Sequence, residues 1–433
     1  MSDFFFYLSY YSSYLLKFLY SFWWVFLTLF LFKLANYFYI WALRDIRFFT
    51  PAKWILLEIK LPEEVEKTPK AMENVFHHLW NLYDPPGNLR EFWIDGKWIY
   101  CYSFEIIGRK EEIHFYIRAP KFLREHIESG IYGEYPQAEI KEIEDYVLKF
   151  GENIPNEKYD LWGCDLALNK SDSYPIRTYS YWETELTREE KVIDPLVAFF
   201  EVLGNLQEGE EIWFQIVARP ITNDEHPYLE ESKALIDKLM KRPPAKKEGI
   251  ISKLGLSKMP LDIFNILIEG KEPISEEEKE AGLDIGLLRL SPGETEALKL
   301  IQENLTKPVY ETSIRFLYIG RKEVFSKARG VVGVFGALNQ FSSMDLNGFK
   351  PDKNKTKAMP WVFEKRRLYQ RQRKIFQYYR FRRASPWHRS PYLLSTAELA
   401  TLYHFPGKAV APTAVLPRVE IKKAGPPWVL PTS

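Results

Sequence analysis

Residues 15–34 read LLKFLYSFWWVFLTLFLFKL, a run of apolar and aromatic side chains that contains two lysines. Lys17 and Lys33 lie sixteen positions apart, which is roughly 24 Å along a helix, a little less than the ~30 Å hydrocarbon core of a bilayer. The two ammonium groups can therefore reach opposite interfaces of a membrane. The stretch predicts a transmembrane helix from about Leu15 to Leu34.

Other interpretations of this stretch fit less well. A span over residues 4–31 would leave Lys17 near the bilayer centre, at a cost of roughly 2.5 to 3.5 kcal/mol. A secretory signal peptide would have a basic start and a small-x-small cleavage site, whereas this chain begins Met1-Ser2-Asp3-Phe4. A buried core helix would need a large domain around it. Residues 1–50 are thus predicted to be a membrane anchor, with candidate anchor residues Lys17, Trp23, Trp24, Lys33 and Trp41.

The basic residues around the apolar run predict the orientation of the anchor. Arg44, Arg47 and Lys53 follow the run, whereas Lys17 and the terminal amine precede it. The positive-inside rule favours the cytoplasm for the side with more Lys and Arg. We therefore expect a single-pass protein whose soluble body is cytoplasmic.

The composition of the whole chain limits the function classes. The length of 433 residues suggests two or three domains beyond the anchor. A formal net charge of +1 excludes an overall attraction to nucleic acid, so only a local patch could bind it. Two cysteines are too few for a disulfide framework, which agrees with a reducing compartment.

Residues 51–150 have the pattern of a compact α+β module. An apolar strand begins at Trp54, and a helix follows with Thr68 at the N-cap and Pro69 at its first position. Two alternating segments then predict a hairpin, a second helix follows Pro120, and a closing strand follows near residues 138–146. The order βαββαβ predicts a ferredoxin-like module.

A similar order recurs in residues 151–350. We predict strands at 174–182, 212–218 and 309–319, helices after Asp194 and over 322–340, and a short edge at 346–349. An insertion of about 223–307 interrupts this second module; it contains an acidic, solvated run at 271–280 and a capping box at Ser291–Glu294. The predicted fold class is α+β: an N-terminal transmembrane helix, two tandem ferredoxin-like (βαββαβ) modules, and a basic helical C-terminal region over 351–433.

The C-terminal region contains a strongly basic stretch. Residues 365–383 carry nine Lys or Arg and no acidic residue, interleaved with Tyr and Phe. Grooves for single-stranded nucleic acid have this composition, because they neutralise phosphates and stack bases. The alternative is an amphipathic helix docked on its own domain, on a partner or on anionic lipid. The candidate patch is Arg366, Arg367, Arg371, Arg373, Lys374, Arg380, Arg382 and Arg383.

The sequence shows no recognisable catalytic or metal-binding motif. Its seven histidines have no metal-ligand spacing, and no Gly-x-x-x-x-Gly-Lys-Ser/Thr phosphate loop occurs. Gly330, Gly333 and Gly336 recur at every third position of a predicted helix, which favours close helix packing over phosphate binding. We therefore expect a protein that is not an enzyme and that has no cofactor, while an unrecognised site stays an open alternative.

Residues 391–406 read PYLLSTAELATLYHFP, with a capping box at Ser395–Glu398. This segment resembles the passage just ahead of the motor domain in type IV secretion and conjugative-transfer ATPases of the FtsK–HerA superfamily. Residues 212–220, 290–294 and 366–383 also resemble pieces of the membrane-anchored bacterial members. The resemblance implies a segment that adjoins a motor, with candidate docking residues Ser395, Glu398, Leu399, Tyr403, His404 and Pro406.

The chain departs from that family in one respect. In those ATPases a P-loop domain follows this segment, whereas this sequence ends at Ser433. The resemblance therefore implies the non-motor N-terminal half, and it transfers no catalytic residue.

The expected function follows from the anchor and the resemblance together. We expect a non-catalytic assembly component of a type IV secretion or conjugation-like apparatus, anchored in the bacterial inner membrane. Its expected partners are the lipid bilayer and a separate P-loop ATPase, and a homo-oligomer is left open. The alternative is a membrane-tethered protein that binds single-stranded nucleic acid.

Overall fold

The computed structural model describes residues 2–61, 67–110, 112–151, 153–184, 194–240, 291–357, 363–382 and 391–406. The predicted acidic run at 271–280, Arg383 and the Pro-rich tail from 407 onward lie outside these ranges. The chain forms two compact units. The anchor unit comprises the residues up to Trp54 together with Asp84–Tyr100, and the sheet unit comprises Ile55–Tyr83 and the residues from Cys101 onward.

The anchor unit is built on one long helix. Helix α1 spans Ser2–Leu43 without a glycine or proline, and its 42 residues extend about 63 Å at 1.5 Å per residue. A π-helical turn at Arg44–Phe49 follows, and Thr50, just before Pro51, keeps right-handed helical backbone angles. A second π-helical turn at Glu91–Asp95 completes the unit.

The sheet unit contains one nine-stranded antiparallel sheet with the strand order β4-β1-β3-β2-β6-β7-β5-β8. Strand β9 lies off this path. It pairs with the first residues of β7, which do not pair with β5. The strands are β1 (Trp54–Lys60), β2 (Tyr102–Arg109), β3 (Glu112–Pro120), β4 (Glu139–Ile143), β5 (Tyr159–Leu168), β6 (Glu210–Ile221), β7 (Val309–Arg321), β8 (Phe349–Lys355) and β9 (Tyr392–Ser395).

Helices cover both faces of this sheet. The remaining helices are α2 (Pro69–Trp80), α3 (Arg124–Glu134), α4 (Tyr179–Thr184), α5 (Val197–Gly204), α6 (Tyr228–Leu239), α7 (Pro292–Asn304), α8 (Gly333–Asn339), α9 (Glu364–Phe381) and α10 (Thr396–Leu402). Helices α2, α3, α5, α8 and α10 share a core with strand residues such as Phe104 and Phe214. Helix α9 shares a second core with the alternate strand residues, including Ile107 and Trp213. Because successive strand residues point to opposite faces, α9 lies on the other side of the sheet.

The two halves of the sheet repeat one element order. The first half runs β1-α2-β2-β3-α3-β4 with the strand order β4-β1-β3-β2. The second half contains β5-α5-β6-β7-α8-β8, and its order read from the opposite edge is β8-β5-β7-β6. The halves join through β2 and β6, which pair antiparallel. The structure thus confirms a mixed α+β chain with an antiparallel sheet.

One predicted strand of the second half is wrong, and the short edge predicted at 346–349 is misplaced, because the strand in this region is β8 at Phe349–Lys355. Residues 174–182 contain no strand, and their last part belongs to α4. The strand is β5 instead, which the prediction missed because Asp160, Gly163 and Asp165 interrupt its apolar pattern. Asp165 is nevertheless completely buried, since Arg315 of β7 forms an ion pair with it inside the sheet unit.

Several local predictions are confirmed. Helix α2 begins at Pro69 after Thr68 in extended conformation, although the Thr68 side chain makes no capping hydrogen bond. Both predicted capping boxes form, at Ser291–Glu294 before α7 and at Ser395–Glu398 before α10. These signals depend on residues close in sequence, which explains why they could be recognised without the fold.

Candidate membrane anchor and basic helix

Helix α1 exposes large apolar side chains on all sides of its described part. Trp23, Trp24, Phe30 and Phe32 are each more than half exposed, although they point in different directions around the helix. A helix that is apolar all round requires an apolar environment. Within the described residues there is one candidate membrane-spanning helix, and it runs from Tyr20 to Phe49.

The predicted anchor residues all lie exposed on α1. They are Lys17, Trp23, Trp24, Lys33 and Trp41. The candidate span contains Lys33 and begins after Lys17. The side chains of residues 2–16 lie outside the description, so the Leu15–Leu34 register stays a prediction. The membrane in question and the side of the body also stay predictions.

The last turns of α1 are contacted by a segment for which the sequence predicted no role. We call residues 84–100 the collar segment. The Tyr39 hydroxyl donates a 2.8 Å hydrogen bond to the Trp93 carbonyl, and Arg47 donates one of 2.8 Å to the Ile94 carbonyl. The Arg44 guanidinium lies 3.5 Å from the centroid of the Trp98 ring. These contacts fix the collar segment to the end of the apolar helix.

Helix α9 is amphipathic, and its apolar side packs on the sheet. Gln372, Ile375, Phe376 and Tyr379 are buried and recur every three or four residues. Ile375, Phe376 and Tyr379 pack with the apolar cluster that includes Trp213. Of the alternatives considered for this stretch, the structure therefore shows a helix docked on its own domain. The Phe376 and Tyr379 rings are covered and cannot stack on bases.

The basic residues of this region fall into three groups. The exposed residues are Lys365, Arg366, Arg371, Arg373 and Lys374. The partly buried residues are Arg367 and Arg380, and the buried residue is Arg382. Arg383 lies outside the described residues. Arg371 donates to the Lys357 carbonyl, and Arg373 donates to Asn153 Oδ1 at 2.6 Å and 3.0 Å. These acceptors are neutral, and among the described residues neither guanidinium forms an ion pair.

Arg382 does not belong to the surface patch, contrary to the prediction. Its Nε donates to Glu105 Oε1 at 2.9 Å, and its two terminal nitrogens donate to Asp145 at 2.5 Å and 3.0 Å. Desolvation alone would raise the pKa of the Asp145 carboxyl, but the hydrogen bonds and charge of Arg382 outweigh it and hold that pKa below its ordinary value. Arg382 thus anchors the end of α9 to the sheet unit.

Glu105 is the centre of a buried hydrogen-bond network under α9. It is fully buried on β2 and accepts from Ser103 Oγ at 2.6 Å and from Gln215 Nε2 at 3.0 Å, in addition to Arg382. The Tyr146 hydroxyl donates to Glu105 at 2.7 Å and lies 2.6 Å from the Tyr379 hydroxyl of α9. A buried carboxylate is tolerated when it is paired and hydrogen-bonded in this way.

The network continues across the sheet as a row of polar residues. Glu105 of β2 faces Gln215 of β6, Gln215 faces Arg315 of β7, and Arg315 faces Asp165 of β5. Asn354 of β8 donates a 2.5 Å hydrogen bond to Asp165. All five side chains are buried. This row was not predicted from the sequence, although a polar residue inside an otherwise apolar strand was the available signal.

The predicted docking residues of the C-terminal segment are buried in the sheet unit. Strand β9 pairs with β7, and α10 packs against α2. All six predicted docking residues are covered, namely Ser395, Glu398, Leu399, Tyr403, His404 and Pro406. Their burial corrects the prediction that these side chains form a surface for another protein, because none is accessible.

Two of these residues have structural roles that the geometry explains. Glu398 accepts from the Ser395 and Ile176 amides at 2.8 Å and 2.9 Å, and burial raises its pKa above the ordinary value. The His404 imidazole lies 2.8 Å from the Ala400 carbonyl oxygen and 3.0 Å from Asp194 Oδ1. The segment is therefore a built-in part of the fold. In the described part of the chain, no group of three or more His, Cys, Asp or Glu is arranged to hold a metal ion.

No curated protein matches the chain. A family model does match, from residue 100 to residue 415, and its description is "Domain of unknown function (DUF8128)". The match begins at the end of the collar segment and covers more than half of the chain. The chain therefore belongs to the family of domains of unknown function DUF8128.

Proposed function

We propose that the protein is a membrane-anchored, non-catalytic assembly component of a type IV secretion or conjugation-like transfer apparatus in the bacterial inner membrane. The observation that carries the membrane part is the exposed apolar surface of α1. The transfer apparatus is proposed from the resemblance of residues 391–406 to the segment ahead of the motor in the FtsK–HerA ATPases.

The repeated halves of the sheet support a finer version of this proposal. Each half has the element order βαββαβ, and each has the strand order 4-1-3-2 when its own strands are numbered in sequence. We propose that both are ferredoxin-like modules, as the resemblance implies for the non-motor half of those ATPases. Such modules would give the anchored protein a rigid surface on which other components assemble.

The burial of residues 392–406 changes where a separate P-loop ATPase would bind. Because the side chains from Ser395 to Pro406 are covered, their role would be to fix the C-terminal segment to the sheet unit. We propose that the exposed basic side of α9 makes the contact instead. Arg371, Arg373 and Lys374 would then face an acidic surface of the ATPase, as complementary charges favour fast and specific association.

The test is isolation of the full-length protein from its native membranes in mild detergent after cross-linking. We expect a P-loop ATPase among the cross-linked proteins. In a triple variant that carries R371E, R373E and K374E, the amount of cross-linked ATPase should fall at least tenfold. The matched control carries K121E, K233E and K299E, which reverse three exposed charges on other helices or turns. A wild-type protein that purifies without any P-loop ATPase, or an equal loss in both variants, would contradict the proposal.

One observation favours the second candidate function, which is binding of single-stranded nucleic acid. The guanidinium groups of Arg371 and Arg373 are exposed and contact neutral oxygens, so they can pair with phosphates. The helix offers less aromatic surface for stacking than its sequence indicates, because Phe376 and Tyr379 are buried. Tyr369, in the N-terminal part of α9, is exposed. Phosphate contacts would therefore dominate, and affinity would fall steeply with salt.

This candidate is tested with the same variants. Fluorescence anisotropy of a labelled oligothymidine should show binding by the wild-type protein, with an affinity that declines with salt by a slope of about 0.7 per phosphate contact. R371E, R373E and K374E together should abolish binding, whereas the K121E, K233E and K299E control should retain it. Absence of binding by the wild-type protein, or equal binding by the basic-helix variant, excludes this function.

A further inference from the structure

The collar segment presents apolar side chains outward at the end of the membrane helix. Leu89 is 78% exposed, Ile94 is 51% exposed and Trp93 is 39% exposed. Ile46, at the start of the turn that follows α1, is 67% exposed. All four belong to the anchor unit. Hydrophobic side chains scattered singly on a surface are ordinary, but these four lie on one short segment and on the helix that it contacts.

The backbone contacts of the collar segment explain why these side chains face outward. The carbonyls of Trp93 and Ile94 accept hydrogen bonds from Tyr39 and Arg47, so the backbone of the π-helical turn lies against α1. Gly96 ends this turn in the left-handed conformation at φ +66°, and a Cβ there would lie 3.0 Å from Leu43. The turn is therefore closely packed on the helix through its backbone.

The charged groups of the collar segment are paired with one another. Lys97 Nζ lies 2.8 Å from Asp84 and 3.3 Å from Glu91. Arg90 Nε lies 3.9 Å from Asp95. Such pairs lower the cost of bringing charge close to a membrane surface. The combination of a tryptophan, aliphatic side chains and compensated charges is typical of segments that lie at the boundary between headgroups and acyl chains.

We propose that Leu89, Trp93 and Ile94, together with Ile46, insert into the interfacial layer of the membrane that α1 spans. This inference rests on the proposed membrane anchor and adds a second, non-spanning contact to it. The occupant is lipid because the collar segment contacts the end of α1, a helix that exposes large apolar side chains and is long and apolar enough to span a membrane. A second protein covering the same surface is an outcome that the experiment below distinguishes.

The inference also places the span more exactly along the chain. The collar segment contacts α1 at Tyr39 and beyond, so these positions would lie at the interface. A hydrocarbon core of ~30 Å takes about 20 helical residues, which then extend from about Leu19 to Phe38. This register is shifted by about four residues from Leu15–Leu34.

The test measures membrane depth in the full-length protein, reconstituted into vesicles of phosphatidylcholine and phosphatidylglycerol. A nitroxide label is attached at Ile94→Cys, with Cys101 changed to serine; Cys164 is buried. The collision rates of the label with oxygen, which concentrates in lipid, and with a water-soluble nickel chelate are compared. Matched labels are placed at Leu29→Cys in α1 and at Met344→Cys, which is 95% exposed on the sheet unit. Leu89→Cys provides an independent second site on the collar segment.

We expect the oxygen-to-nickel ratio at positions 94 and 89 to be at least threefold higher than at position 344 and lower than at position 29. A ratio at both collar positions equal to that at position 344, with a high ratio at 29, would overturn the inference and leave the anchor intact. Low collision rates with both reagents at 94 and 89 would mean that protein covers the collar, which also overturns it. A low ratio at position 29 would refute the anchor itself.

Discussion

Helices α1 and α9 both combine bulky apolar side chains with basic ones, yet they meet different surroundings. In α9 the apolar residues form one stripe, and the sheet unit covers it. In the described part of α1 they surround the helix, and large side chains such as Trp23 and Phe30 remain exposed. The difference shows that the distribution of apolar residues around a helix decides what must cover it. A stripe can pack on the protein, whereas an all-round surface requires lipid or a partner.

The free energy gained by burying one large apolar side chain is similar in the two helices. Complete burial of a large apolar side chain contributes about 1.5 to 3 kcal/mol. Phe376 and Ile375 of α9 obtain this contribution from the sheet unit. The corresponding contribution for Trp24 or Phe30 is obtained only when α1 enters an apolar environment. Four experiments test this contrast between the helices.

The largest effect is expected where α9 is fixed to the sheet unit. R382M would leave Glu105 buried without its cation, which should destabilise the protein by about 3 to 5 kcal/mol. Thermal unfolding, followed by circular dichroism in one detergent, measures this as a lower midpoint. The control R380M removes a partly buried charge of the same helix. A double variant with E105Q and R382M should recover much of the loss, and an unchanged midpoint for R382M would contradict the role of the pair.

A charge in the middle of α1 tests the membrane role of that helix. V25K combined with K33L moves one lysine to the centre of the apolar run, which should cost roughly 2.5 to 3.5 kcal/mol of insertion. The fraction of protein that stays in membranes after alkaline carbonate extraction should fall. K33L alone is the control and should remain inserted. Equal extraction of both variants would argue against a transmembrane α1.

A smaller effect is expected at the junction between α1 and the collar segment. G96A places a side chain at φ +66°, where a non-glycine residue costs roughly 1 to 2 kcal/mol, and its Cβ would press on Leu43. Amide hydrogen exchange of residues 91–97 should become faster. G133A is the matched control, because a Cβ there meets nothing within 4 Å. Unchanged exchange in G96A would mean that the collar segment is not held against the helix.

The smallest effect is expected on the exposed side of α9. R371A and R373A remove hydrogen bonds to the Lys357 carbonyl and to Asn153 at the protein surface, and such contacts rarely contribute more than about 0.5 kcal/mol each. The unfolding midpoint should therefore stay close to that of the wild-type protein. A fall as large as that of R382M would show that these arginines maintain the fold, and it would remove them as candidates for partner binding.

The features that the sequence predicted correctly are those with local signals. The apolar run of α1, the start of α2 at Pro69 and both capping boxes each depend on residues within a few positions of one another. The buried position of Arg382 depends on Glu105, which lies 277 residues away. Nothing near Arg382 in the chain distinguishes it from the exposed arginines of α9.

The same reasoning explains the errors in the second half of the sheet and at the C-terminal segment. No strand was predicted for β5, because Asp165 interrupts its apolar pattern and the partner of Asp165, Arg315, is on a distant strand. The segment from Ser395 to Pro406 resembled a docking element, but pairing of β9 with β7 buries it. In both cases a long-range contact decides whether a polar residue is inside or outside. Such contacts cannot be read from spacing alone.

The polar row from Glu105 through Gln215 and Arg315 to Asp165 has a consequence for assembly of the sheet. Two halves with the same element order could exchange strands between copies of the chain, because similar strands compete for the same neighbours. A pairing shifted by one residue would turn these buried polar groups into the opposite, apolar core. Each charge would then lose its partner, so the row disfavours a shifted register among β2, β6, β7, β5 and β8.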